Sequence, residues 1–162
     1  MKNNLSNIKK SKFYLDKGEC VAIPTETVYG LAGNAYSDKA SLKIFQLKKR
    51  TKKNPLIVHY NNLKMLNNDC IITNEFLKLY KKFCPGPLTF VLNLKKRSEI
   101  SKNVTNNKET LAVRFPSHPL TRKLLKFTIV LQKSVSKFIV FLQKHIKFIN
   151  FLQENKSETL PL

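Results

Sequence analysis

Long uncharged apolar runs, paired cysteines and acidic residues are all scarce in this 162-residue chain, and each shortage excludes something. No apolar stretch approaches the roughly 18 residues that a membrane-spanning helix needs, so no membrane association is expected. Met1 to Lys12 is rich in Asn and Lys and offers only Leu5 and Ile8 as sizeable apolar side chains, which is not the shape of a signal peptide. Cys20, Cys70 and Cys84 are odd in number, widely spaced and without a CxxC pair. That pattern gives neither a disulfide framework nor a zinc site, and a reducing cytoplasm is the expected compartment. His59, His118 and His145 lack metal-ligand spacing, and the common phosphate-loop, dinucleotide, zinc-hydrolase and nucleophile-elbow motifs are missing.

Acidic residues number 10 against 30 basic ones, a formal charge of +20. Clustered Lys and Arg neutralise phosphates, so nucleic-acid binding is one reading of this charge. A solvated, lysine-rich background produced by coding bias is the other, because 26 of the basic residues are Lys and four are Arg. Net charge alone leaves both open. The four arginines, Arg50, Arg97, Arg114 and Arg122, are the more informative cations.

Hydrophobic residues make up 42% of the chain and charged residues 25%, enough for one globular domain with a real core. Gly18 to Ile23 reads as a buried strand that stops at Pro24. The stretch after it, "PTETVYGLAGNA", holds two of the chain's four glycines and marks a place where backbone comes close to something. Ser37 and Asp38 can cap a helix with Leu42, Ile44, Phe45 and Leu47 near one side and Lys48, Lys49 and Arg50 at its end. Leu56 to Val58 is a short strand that finishes at His59. Asn74 is the expected N-cap of "EFLKLYKKF", where Phe76, Tyr80 and Phe83 recur at helical spacing, and Pro85 to Pro87 ends that helix. "LTFVLNL" and "TLAVRF" follow as strands. In the second, alternation puts Leu111, Val113 and Phe115 on one face and Thr110, Ala112 and Arg114 on the other. From Thr128 onward apolar residues and lysines mix without glycine until the end, compatible with one amphipathic helix or with broken strands. Strands separated by helices make a mixed α/β fold.

Four blocks, "GECVAIPTETVYGLAGNA", "IFQLKKRTKKNPLIVH", "CPGPLTFVL" and "TLAVRFPSHPL", stand in the order and at about the spacing found in the YrdC/Sua5 family of threonylcarbamoyl-AMP synthases. The resemblance runs from about Gly18 to Leu120. Cys84 stands where that family usually carries tryptophan, a residue this chain lacks entirely. The resemblance implies a twisted mixed sheet with flanking helices and a basic concave face. It also implies an enzyme, a nucleotidyltransferase that joins L-threonine, bicarbonate or carbon dioxide and ATP into threonylcarbamoyl-adenylate, with release of pyrophosphate. The product serves threonylcarbamoyladenosine formation in tRNA, which makes tRNA and other proteins of that pathway potential partners. Carried over residue by residue, Thr27, His59 and Arg114 face the threonine, and Lys48, Arg50, Asn54 and Thr110 face the ATP. Magnesium is expected as the counter-charge of the triphosphate.

After "AVRFPSHPL" the family continues through a "PSAN" segment and an "SPT" motif, whereas this chain offers "LQKSVSKF". Ser134 can take the serine position of the first motif and complete the threonine contacts. The flanking prolines and "SPT" are missing, so residues 1–127 read as the YrdC-like domain, shortened on its C-terminal side, and 128–162 as a divergent tail. A sheet deprived of central strands leaves backbone groups unpaired, and weak or absent synthase activity is the expectation. The contrasting classes are a double-stranded RNA-binding module without catalysis and a decayed remnant.

Overall fold

The computed structural model describes residues 4–26, 28–49, 51, 53–130 and 138–141, with backbone alone at 4, 128–130 and 138–141. Among them the chain forms six strands and six helices. In order these are α1 (Asn4–Asp16), β1 (Val21–Ile23), β2 (Gly30–Asn34), α2 (Asp38–Leu47), β3 (Ile57–His59) and α3 (Leu63–Leu66). They continue with α4 (Asn74–Phe83), β4 (Thr89–Asn93), α5 (Lys102–Thr105), β5 (Thr110–Arg114), α6 (Pro119–Val130) and β6 (Phe138–Phe141).

One six-stranded sheet runs β1-β2-β6-β3-β5-β4. Every neighbouring pair is antiparallel except β3 and β5, which are parallel with Ile57 opposite Ala112, Val58 opposite Val113 and His59 opposite Arg114. The crossover between them carries α3, α4, β4 and α5. Helices cover both faces, as the alternation of strands and helices predicts.

The larger core lies on the face where Val58, Val113 and Phe115 meet Ile44 and Phe45 of α2 and Phe76 of α4. Phe115 is its centre, 1% exposed, with Tyr80 edge-on at 4.7 Å and Tyr60 and Phe76 tilted at 6.2 and 6.5 Å. Adjacent strand residues point to opposite faces. Ile23 and Ala32 therefore meet a second cluster, built from Ile8 and Leu15 of α1 and Leu124 and Leu125 of α6. Buried Asp69 braces the first core by accepting from the hydroxyls of Tyr60 (2.8 Å), Tyr36 (3.1 Å) and Ser98 (3.2 Å).

Local chemistry explains most boundaries. Ser37 caps α2 by accepting the Ala40 N–H at 3.2 Å. In α2 Ile44 and Phe45 are buried while Leu47 is exposed, so the apolar side is narrower than the sequence pattern indicates. The cap of α4 is Thr73 rather than Asn74, because the Thr73 hydroxyl accepts the Phe76 N–H at 3.2 Å and Asn74 already belongs to the helix. Phe76 and Tyr80 turn into the core and Phe83, in the last turn, is exposed.

The glycine-rich stretch after the first strand is itself a strand, β2. Its close approach is to α2: a Cβ on Gly33 would stand 3.2 Å from Ile44 Cδ1 and 3.3 Å from Ala40 Cβ. α1 is a further helix in a segment whose composition looks merely polar. Its buried side is carried by Ile8 and Leu15, with Lys12 paired to Asp16 one turn on. At the other end, α6 runs past residue 127, and β6 lies in the middle of the sheet, antiparallel to both β2 and β3.

Phe115→Ala removes the ring that ties α4 to β5 and is expected to cost about 3–5 kcal/mol. Chemical denaturation of the two proteins measures the difference.

Candidate active site

A parallel strand pair aims its side chains and the following loops toward one end, and ligands of α/β sheets sit at such carboxyl ends. Here β3 ends with His59 and β5 ends with Arg114, and the register places the two opposite each other. Because Val58 and Val113 point into the larger core, His59 and Arg114 share the other face. Both are buried, His59 fully and Arg114 at 4% exposure.

The turn between β1 and β2 closes over this end. Thr25 holds it by donating its hydroxyl to the Val28 carbonyl at 2.6 Å and accepting the Val28 N–H at 3.3 Å. The Thr121 hydroxyl of α6 donates to the Pro24 carbonyl. Glu26 then reaches Arg114, with Nη2 donating to Oε2 at 2.5 Å. The other oxygen of Glu26 accepts both the backbone N–H and the hydroxyl of Ser117, just beyond β5.

Several polar atoms at this end have no hydrogen-bond partner among the described residues. Among the described residues, the buried side-chain nitrogen and oxygen atoms without a hydrogen-bond partner are His59 Nδ1 and Nε2, Asn61 Oδ1, Arg114 Nε and His118 Nδ1. All belong to two short segments, 59–61 and 114–118, which follow the ends of the parallel pair. A buried polar atom left unpaired costs about 1–3 kcal/mol, so such a cluster is the mark of a place completed by something else.

Electrostatics follow from the burial. His59 is driven down to about 3 by loss of solvent and then by the neighbouring Arg114 charge, so the imidazole is neutral across the physiological range. Burial also lowers Arg114, and Glu26 opposes that. Burial pushes the Glu26 carboxyl up, but the Ser117 N–H, its own backbone N–H, the Arg114 charge and the Ser117 hydroxyl outweigh it and leave it below the usual carboxylate range. This end of the sheet thus holds a neutral ring and a guanidinium whose Nη2 is engaged by Glu26. A guanidinium fork is well shaped for a carboxylate, and a neutral imidazole can donate at one nitrogen and accept at the other.

Of the residues singled out from sequence, the structure brings His59 and Arg114 together. Asn54 lies in the loop that leads from α2 into β3, and half-buried Lys48 is the residue just after α2. Thr110 opens β5, four residues and roughly 13 Å of strand from Arg114. Asn54 and Thr110 therefore belong to the amino-terminal end of the parallel pair, opposite the one that holds His59 and Arg114. Thr27, Arg50 and Ser134 lie outside the described residues. Sequence reasoning missed Glu26, Asn61, Ser117 and His118. Glu26 sits within a quoted motif, yet its partner is 88 residues away, and no periodicity connects them. Among the described residues no group of three or more His, Cys, Asp or Glu could hold a metal ion, and no helix is long and apolar enough to cross a membrane.

The neutral, buried His59 has a consequence for stability. Between its ordinary value of 6.5 and about 3 the unfolded chain binds a proton that the folded chain refuses. Its contribution is fully present above pH 6.5 and is lost as the pH falls toward about 3. Denaturation midpoints across that range are expected to fall more steeply in the native protein than in a His59→Gln variant.

A comparison with family models matches residues 14–139 to the Sua5/YciO/YrdC family, described as "Telomere recombination". The threonylcarbamoyl-AMP synthase of Pyrococcus abyssi is 40% identical over 118 residues, 71% of this chain and 34% of that protein. The Bacillus subtilis synthase is 40% identical over 127 residues, covering 78% and 36% respectively. The chain thus spans about a third of the length of these curated relatives. Among solved structures, P. abyssi Sua5 complexed with L-threonine superposes with a TM-score of 0.76 at 34% identity, over 84% of this chain and 38% of that one. Escherichia coli YciO, at 20% identity and a TM-score of 0.71, shares the fold. The chain belongs to the Sua5/YciO/YrdC family.

Proposed function

We propose that this chain binds L-threonine at the carboxyl ends of β3 and β5 as a threonylcarbamoyl-adenylate synthase of weak activity, since the family's "SPT" motif is missing. One observation carries the reading: the register sets His59 opposite Arg114 at the end of the parallel strand pair, and His59 Nδ1 and Nε2 and Arg114 Nε are buried without a hydrogen-bond partner among the described residues. Arg114 takes the amino-acid carboxylate by its unengaged edge, where a charge-assisted pair is strongest. Neutral His59 sits beside the bound amino acid, and Thr27 and Ser134 complete the contacts. A relative crystallised with L-threonine supports this choice of ligand.

The chemistry asks for positioning more than for covalent help. The threonine amine adds to carbon dioxide and loses a proton, or adds to the carbonyl of bicarbonate with expulsion of water, giving the carbamate. A carbamate oxygen then attacks the α-phosphorus of ATP, and pyrophosphate leaves. Lys48, Arg50, Asn54 and Thr110 are assigned to the nucleotide, with cations answering charge that grows on the leaving phosphates. Magnesium accompanies the triphosphate as counter-charge. Synthases that match this chain support the reaction class, and the tRNA pathway and its cytoplasmic setting follow from that class.

The formal charge of +20 favours a second reading, in which the lysines form a face for double-stranded RNA. Lys9, Lys10 and Lys17 on and just after α1 are exposed, with Lys17 Nζ 4.3 Å from the centre of the Phe13 ring.

Titration calorimetry with L-threonine is expected to give a saturable signal that Arg114→Ala abolishes, with threonine-dependent and bicarbonate-dependent pyrophosphate release lost in the same variant. Failure of L-threonine to bind the native chain would contradict the proposal. RNA binding that weakens steeply with salt and ignores threonine is the outcome expected of the second reading alone.

A further inference from the structure

Arg114 carries the proposed ligand contact, yet a buried arginine does not point anywhere by itself. Its side chain has many rotamers, and a ligand fork is useful only when it is held within a fraction of an ångström of its working position. Glu26 supplies the hold. Oε2 takes Nη2 of Arg114 at 2.5 Å, while Oε1 takes the N–H and hydroxyl of Ser117. With both oxygens committed, the plane of the carboxylate is set, and with it the direction in which the guanidinium lies. Nε remains buried and unpartnered.

The hold is anchored at its own base. The turn bearing Glu26 is closed by Thr25 on Val28 and pinned to α6 by Thr121 on the Pro24 carbonyl. Ser117 belongs to the chain between β5 and α6. One carboxylate thus joins the turn after β1 to the loop after β5. Its side chain is 15% exposed, against 5% for Arg114, so the pair is screened from water.

We infer that Glu26 is a positioning residue for the amino-acid site, orienting Arg114 so that its free edge is presented beside His59. The inference rests on the proposed binding of an amino-acid carboxylate at Arg114. It requires both oxygens of Glu26. Glutamine, of the same shape, has a single oxygen and can serve Arg114 or Ser117 but not both. Aspartate keeps the charge and falls short by one methylene. An alternative role, in which Glu26 occupies the guanidinium and must be displaced by the ligand, makes the opposite prediction for affinity.

The test compares the native chain with Glu26→Gln and Glu26→Asp, in the full-length protein, with thermal unfolding recorded for each. The side-chain Nε–H resonance of Arg114, identified by its absence in Arg114→Lys, is expected to be sharp and slowly exchanging in the native chain. It is expected to be shifted and averaged in Glu26→Gln, with L-threonine affinity falling roughly ten- to a hundred-fold, the loss that a misplaced group brings. Glu26→Asp, with its charge intact, is expected to lie between the two. An unchanged Arg114 resonance, or equal or tighter threonine binding in Glu26→Gln, overturns the inference. If the native chain binds no L-threonine, the proposed function falls, and the Arg114 resonance alone decides whether Glu26 positions it.

Discussion

A guanidinium cannot be buried unanswered. Arg114 stands almost entirely out of water at the end of β5, and the carboxylate that answers it comes from a turn 88 residues earlier. Removing one member of a buried charge pair typically costs about 3–5 kcal/mol, because the survivor is left uncompensated. That constraint fixes where the turn after β1 must lie, and through Ser117 it fixes the start of the chain toward α6.

The sheet makes the constraint possible. Parallel pairing of β3 with β5 brings two residues far apart in sequence, His59 and Arg114, side by side. The alternation that sends Val58, Val113 and Phe115 into the aromatic core sends their neighbours to the opposite face. Core packing and site geometry are therefore two sides of the same strands. Close packing of α2 on β2 depends on Gly33, since a side chain there would have to push α2 away.

Much of this was legible in the sequence. Period-two alternation in "TLAVRF" gave both faces of β5, and the capping residue Ser37 and the run ending at His59 located α2 and β3. The four blocks carried the family, and with it Arg114 and His59 as candidate residues, which the parallel pairing of β3 with β5 sets side by side. What stayed hidden was hidden for physical reasons. α1 buries little more than Ile8 and Leu15 on one stripe, too thin a signal among asparagines and lysines. β2 shows no strand signal because glycine weakens any strand pattern, although Gly33 is here required by α2. β6 is short and sits in a segment whose lysines blur both periods. Glu26 escaped because an ion pair across 88 residues leaves no local trace.

The central claim is that His59 and Arg114 form one ligand-binding end of the parallel pair. Observing the imidazole and guanidinium nitrogens of these two residues by nuclear magnetic resonance during an L-threonine titration tests it most directly. The account predicts that both sets of signals shift together and saturate at one affinity. Threonine binding that leaves both residues undisturbed, or disturbs only one of them, would contradict it.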